Sequence, residues 1–415
     1  MKMNKPVYLT AGYHTVFLGS GRKEFHPKKP RPGIEHYVIE AGKGAVAQIN
    51  SAENIDEGVI SNFMAARFNR QGNLGAFFPA IDPALLYKPH TRVEGACGSG
   101  GLGVYTAIKT ILSGVADVVL AIGVEVQNSV KAVYGADYLA LAGYYSGDRK
   151  AGHAHFFPGK FSDRAGACFK KYGHDPVRTA MARFYEQAII NARRNPKAQE
   201  YHNTNPDLFG TGMTPPNPKV FVEHLNVFDC SKVTDGASAV IVASEEGLKK
   251  LEVAKKDAIQ VTGMGVAVGD LTKPPEDLTK LSTTAAAAKK AYASCGLKPS
   301  DIGTLELHDC FTITALLAVE AAGFVKEGEG ADFIREGHTH YDAELPTNTT
   351  GGLIGFGHPT GGTGVRQAAD LWMQLTGKAG DCQITMKPER PYGMMINMGG
   401  NDKTVPVIIF QPAEG

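Results

Sequence analysis

The sequence predicts an α/β protein built as two related halves, with an excursion inserted in the first. Apolar β-rich runs alternate with helical patterns over most of the chain, the signature of a largely parallel sheet with covered faces. Two distant segments also repeat one strand-to-helix turn, Cys97-Gly98-Ser99-Gly100-Gly101-Leu102-Gly103-Val104 and His358-Pro359-Thr360-Gly361-Gly362-Thr363-Gly364-Val365. Between Gln127 and Pro218 the rhythm breaks into a stretch rich in His, Tyr, Phe, Lys and Arg. Such a stretch suits a segment that covers a site.

In chain order, Val7 to Phe17 reads as an opening strand and turn, Val59 to Phe68 as a helix, and Thr91 to Ala96 as a strand. Leu102 to Ser113 has helical spacing, and Ala116 to Glu125 is apolar enough for a buried strand. Within the excursion, Pro176 to Arg194 carries the helical signal. Alternation resumes with strands at Ser238–Ser244 and Ala258–Val268 and a helix at Thr283–Gly296. The last third repeats the first: a strand near Thr304–Leu307, a helix at Phe311–Ala322, a loop to Gly357, a helix at Gly364–Leu375, and strands at Tyr392–Met398 and Thr404–Phe410.

A length of 415 residues favours two or three domain-sized units. Lys plus Arg (43) almost cancels Asp plus Glu (42), so no basic face is dictated and nucleic acid is not an expected partner. The six cysteines, 97, 168, 230, 295, 310 and 382, form no close pairs, which argues against a zinc ribbon or a disulfide scaffold. Free thiols suit a reducing, cytoplasmic setting. The longest apolar run, Val115 to Val124, contains Asp117 and is too short to cross a bilayer, so no membrane is expected either. His153-Ala154-His155 and His338-Thr339-His340 each lack a third ligand, and no metal is predicted.

Gly98-x-Gly100-x-x-Gly103 after a strand also matches the dinucleotide fingerprint, with Glu125 near the place of the ribose-binding acid. Nothing in nucleotide binding explains a cysteine heading that turn, or a second copy headed by His358. A cysteine at a helix N-terminus feels the positive end of the peptide dipoles, and such settings lower a thiol pKa from ~8.5 to about 3.5–7.5. Cys97 is thus the candidate nucleophile and His358 its base. His308 and Cys310, in Leu307-His308-Asp309-Cys310-Phe311, lie at a strand end where active-site groups of α/β sheets collect. Cys168, Cys230, Cys295 and Cys382 are expected to be structural.

At these residues the chain resembles the thiolases, and within that superfamily the sterol-carrier-protein type. The hallmark of that type is His-Asp-Cys-Phe where other thiolases carry Asn-Glu-x-Phe. The likeness runs through Glu94 to Gly100, Gly114-Val115-Ala116-Asp117, Asp229 to Ala237, His308 to Phe311, Asn348-Thr349-Thr350-Gly351-Gly352 and Gly357-His358-Pro359. It implies the thiolase fold: two pseudo-symmetric βαβαβαββ halves, each a mixed five-stranded sheet, in five α-β-α-β-α layers with an inserted loop domain. The expected division is 1–126 with 219–255 for the first half, 127–218 for the loop region, and 256–415 for the second half. One departure stands near the C-terminus, where most thiolases carry a second catalytic cysteine in a Cys-x-Gly turn. Here that stretch is Asn397-Met398-Gly399-Gly400.

The resemblance implies a CoA-dependent thiolase, with acyl-CoA as substrate and no bound cofactor. His358 would deprotonate Cys97, the thiolate would take the acyl group, and the N–H groups of Cys97 and Gly399 would hold the oxyanion. Cys310 would move the α-proton in place of the missing cysteine, His308 would stabilise the enolate oxygen, and Ser231 would contact the pantetheine arm. Asn397 is expected to tolerate replacement better than Cys310. The resemblance further implies a homodimer or a dimer of dimers. The alternative function is a related C-acyltransferase working on a non-CoA acceptor, such as an aromatic ring, with a small OB-fold and zinc-ribbon partner.

Overall fold

The computed structural model describes residues 3–148 and 154–413. Nine strands form one continuous hydrogen-bonded sheet: β1 (Tyr8–His14), β2 (Glu57–Ser61), β3 (His90–Val93), β4 (Val118–Val126), β5 (Asp235–Ala243), β6 (Ile259–Val268), β7 (Ile302–Glu306), β8 (Tyr392–Ile396) and β9 (Thr404–Pro412). Their order is β3-β2-β4-β5-β1-β6-β9-β8-β7. Helices of eight residues or more are α1 (Ile34–Val46), α2 (Ser99–Ser113), α3 (Ala132–Leu139), α4 (Phe156–Tyr172), α5 (His174–Ala192), α6 (Ser282–Cys295), α7 (Thr312–Ala321) and α8 (Thr363–Leu375).

The two halves share one topology. In the first, β1 and β4 run antiparallel to β5, while β2 runs parallel to β4 and to β3. In the second, β6 and β8 run antiparallel to β9, and β7 runs parallel to β8. The counterpart of β3 is reduced to a single parallel bridge, Leu305 to Thr347, so the expected fifth strand of the second half is one residue pair. A short antiparallel pairing of Tyr8 and Leu9 with Gln260 and Ile259 joins the halves. The sheet is therefore mixed, and the reading from alternation alone of a largely parallel sheet does not hold.

Strands β4 and β5 are buried along their whole length, which explains their unbroken apolar runs. The same double burial misleads at Val59–Phe68. Val59 to Ser61 belongs to β2, sandwiched between β3 and β4, and only Ala65–Phe68 turns helical. A strand covered on both faces loses its period of two. Helices α1, α3 and α4 escaped the sequence reading. The first turn of α4 contains Pro158, whose missing N–H costs nothing at a helix start.

Helices α2 and α8 lie side by side between the halves, with α2 also reaching β9 and α8 reaching β1 and β5. Outside them, α1 covers the first half and α6 the second, giving five layers. The central helices touch through their glycines: a Cβ on Gly364 would stand 2.0 Å from the Gly101 nitrogen, and one on Gly100 2.4 Å from the Gly364 nitrogen. The shared Gly-Gly-x-Gly is thus a close helix crossing at the centre of the molecule. Helix α2 starts at Ser99, two residues after Cys97, whereas α8 starts at Thr363, five residues after His358. His358 consequently stands in the loop ahead of its helix, where it faces Cys97.

Candidate active site

The C-terminal ends of β3, β7 and β8 and the start of α8 converge on a cavity of about 250 Å³ beneath α3 and α4. Cys97, His308, Cys310, His358, Ser231 and Gly400 line it, together with Phe68, Phe156, Phe157, Phe161 and Phe311. Cys97 sits in a tight turn, Ala96–Gly98, just before α2. Ala96 adopts φ +54°, unusual for a residue with a Cβ, and its carbonyl accepts from the Ser99 hydroxyl at 2.6 Å. That strain turns the thiol into the cavity. Sγ faces the N–H groups of Gly400 and of Cys97 itself, but burial, reinforced by the Glu125 carboxylate, pushes the thiol up to about 12. The sequence expectation of a lowered thiol fails here, because desolvation between the two halves outweighs the donors at the helix start.

His358 is buried, and its hydrogen bonds decide its tautomer. The Thr363 hydroxyl donates to the Pro359 carbonyl (3.1 Å), so toward His358 it accepts, and Nδ1 must carry the proton across that 2.6 Å contact. Nε2 keeps its lone pair and has no partner among the described residues. Burial, with the Arg366 charge, lowers the imidazole to about 3, so the ring is neutral. His308, only 2% exposed, is likewise held neutral, by burial first and then by His358 and Arg366. Its Nδ1 lies 3.1 Å from the amide nitrogen of Asn397, and its Nε2 has no partner among the described residues. Sγ of Cys97 and one ring nitrogen of each histidine lie within 4.8 Å of one another.

Cys310 closes the site from the start of α7. Burial and the neighbouring Cys97 raise its thiol well above the ordinary value, and Thr314 Oγ1 lies 3.9 Å from Sγ. Ser231 is held against this turn by its N–H, which donates to the Cys310 carbonyl at 2.9 Å. Beside it, Asp309 accepts from Asn348 (2.7 Å), Leu353 N–H (2.8 Å) and Ile354 N–H (3.3 Å), tying the motif to the loop that leads to His358. Glu125 does the same on the other side, accepting from the N–H groups of Phe63, Met64 and Gly361 and from the Asn62 and Thr360 side chains. With its oxygens so occupied it is no ribose ligand, and the dinucleotide reading falls.

Gly399 requires a correction. Its N–H donates to the Thr404 carbonyl at 2.7 Å within the β8–β9 turn and is not free for an oxyanion. The free donor beside Sγ is the next residue, Gly400, whose φ of +67° aims its N–H at the thiol. Sequence reasoning also missed Thr363, although it stands inside the repeated turn, and the wiring of Asn397, for which no local signal exists. Cys230 lines the cavity as well. Cys168, Cys295 and Cys382 lie elsewhere, and all six thiols are free. His338 pairs with Glu336 and Glu344 away from the site, and His153 lies outside the described residues.

Comparison with known proteins agrees with this geometry. The family "Thiolase C-terminal domain-like" matches residues 270–411. The acetyl-CoA acetyltransferase of Methanothermobacter thermautotrophicus is 34% identical over 90% of this chain and 93% of its own. Sterol carrier protein 2 of Homo sapiens is 29% identical over 75% of this chain and 56% of its own. Among solved structures, the Ltp2-ChsH2(DUF35) aldolase superposes with a TM-score of 0.78 at 21% identity, covering 99% of this chain and 98% of the other, which establishes the fold. A match of such length and identity, on a site headed by Cys97 and His-Asp-Cys-Phe, places the chain in the thiolase superfamily as an acyltransferase of the sterol-carrier-protein type.

Proposed function

We propose that the protein is a CoA-dependent thiolase that makes or cleaves the C–C bond of a β-ketoacyl-CoA through an acyl group carried on Cys97. One observation carries this reading: a thiol, an imidazole lone pair and two backbone N–H groups meet in one cavity. His358 Nε2 takes the Cys97 proton as sulfur attacks the acyl carbonyl, then returns it to the leaving CoA thiol. The N–H groups of Cys97 and Gly400 receive the oxyanion, a donor set worth about 2.7–4 kcal/mol per member. Cys310 then gives its proton to His358 Nε2, free again once CoA has left, and its buried thiolate, a strong base, takes the α-proton of a second acyl-CoA; the Cys97 thiolate released when the new C–C bond forms recovers the proton from His358. His308 stabilises the enolate oxygen, and the carbanion attacks the acyl-cysteine. Ser231 meets the pantetheine arm, a role supported by its position on the cavity wall.

The aromatic wall of Phe68, Phe156, Phe157, Phe161 and Phe311 supports a second reading, acyl transfer to an aromatic acceptor with a partner protein. The solved Ltp2-ChsH2(DUF35) aldolase supports the partner alone, since it joins a chain of this fold to a DUF35 protein. The short edge strand β3 leaves one sheet edge for a second copy, and a homodimer is the expected state. Among the described residues no helix is long and apolar enough to cross a membrane, and a cytoplasmic site of action is part of the proposal. The deciding experiment is acylation. Incubation with acyl-CoA should add one acyl mass at Cys97, and Cys97→Ala should abolish it. An adduct on another cysteine overturns the mechanism.

A further inference from the structure

We infer that Asn397 sets the tautomer of His308, keeping the ring proton on Nε2. That nitrogen is thereby a donor to a substrate oxygen, and the same proton withholds it from metal ions. The inference rests on the proposed role of His308 and concerns a positioning residue that the resemblance leaves without a task.

The argument starts from a backbone group. Asn397 is fully buried at the end of β8, and its Oδ1 accepts the Gly101 N–H at 2.9 Å. Only an acceptor satisfies an N–H, so the amide cannot be flipped, and its NH₂ must point the other way. There it meets two acceptors, the Cys97 carbonyl at 3.0 Å and His308 Nδ1 at 3.1 Å, one for each of its hydrogens. An NH₂ does not accept, so Nδ1 must offer its lone pair. A neutral imidazole has a single N–H, which therefore sits on Nε2, buried, unpartnered and facing the cavity. The chain of reasoning runs from a glycine N–H on α2 to a proton in the active site.

The metal consequence follows from the same proton. Cys97, His308 and His358 offer one sulfur and two nitrogens within 4.8 Å, a donor set that suits Zn²⁺. A metal-bound histidine needs a lone pair on the ligating nitrogen and an acceptor, usually a carboxylate or carbonyl, at the other one. Asn397 presents a donor at that other nitrogen, the reverse of what ligation requires. An Asp at this position would accept from Nδ1 and free Nε2 to bind metal.

Two measurements on the full-length protein test this. In ¹⁵N-histidine spectra of the unmodified protein, with His308 assigned by its loss in His308→Ala, the ring should be protonated on Nε2 and bare on Nδ1. Protonation on Nδ1 overturns the inference outright, whatever any variant does. Titration with Zn²⁺ should then show Asn397→Asp binding one ion about 10–100-fold more tightly than the unmodified protein, the gain vanishing in Asn397→Asp/Cys97→Ala. An unchanged zinc affinity in a folded Asn397→Asp overturns the metal half. If the tautomer is as stated but His308→Ala retains α-proton exchange, the functional reading of His308 fails and the tautomer assignment stands.

Discussion

His308 and His358 meet edge to face, ring centroids 5.1 Å apart and planes at 86°, with opposite hydrogen-bonding character at the nitrogens left free. Thr363 holds the proton of His358 on Nδ1, whereas Asn397 keeps Nδ1 of His308 bare. One ring thus offers a lone pair and its neighbour an N–H to the cavity between them. Two identical side chains acquire two tasks from their neighbours alone.

A thiol raised to about 12 beside an imidazole lowered to about 3 forms no resting thiolate–imidazolium pair. Below its pKa the thiolate fraction grows tenfold per pH unit, so alkylation of Cys97 by iodoacetamide in the free enzyme should rise about tenfold per unit from pH 6 to 9. A plateau near pH 6–7 would show that the ion pair forms before substrate arrives.

Thr363 is the anchor of the base. Thr363→Val removes the acceptor for His358 Nδ1, and the rate of acyl-enzyme formation should fall about 10–100-fold, the usual cost of losing such an orienting partner. Thr363→Ser should restore most of it. Burst-phase mass measurements read both, and equal rates in all three proteins would remove Thr363 from the mechanism.

The two glycines of the β8–β9 turn should behave differently. A Cβ on Gly399 would stand 2.1 Å from the Gly95 carbonyl, so Gly399→Ala should lower the yield of folded protein. At Gly400 the nearest atom would be the Ala142 carbonyl oxygen at 2.9 Å, a milder backbone clash than at Gly399 that adds to the left-handed φ of +67°. Gly400→Ala should therefore fold, with a displaced N–H and an acylation rate down by about 10²–10³. A soluble Gly399→Ala with the larger acylation defect would return the oxyanion role to Gly399.

Cys310 separates the two half-reactions. Cys310→Ala should still form the acyl-enzyme, which only makes and breaks thioesters, but should lose exchange of acetyl-CoA α-protons with deuterated water by about 10²–10⁴. Asn397→Ala should also impair exchange, contrary to the tolerance expected from sequence, because His308 then loses the group that orients it. Normal exchange in Cys310→Ala would place the base elsewhere.

The sequence by itself determined what is written in contiguous residues: two halves with one repeated turn, a thiol at the start of α2, an imidazole ahead of α8, and the His308–Phe311 motif at the end of β7. Local patterns of this kind depend on neighbours a few positions away, and they survive into the fold. Tertiary structure decided the rest. Gly101 and Asn397 are 296 positions apart, and Cys97 and Asn397 300, yet their hydrogen bonds set a tautomer that no local pattern encodes. The height of the Cys97 pKa has the same origin, since the helix start favours a thiolate while burial between the halves disfavours it more strongly. Which N–H is left free beside Sγ turned on one register position, because the β8–β9 turn consumes that of Gly399 and leaves that of Gly400. Proton positions and desolvation depend on what packs against a group from the far half of the chain, and only the folded core brings those halves together.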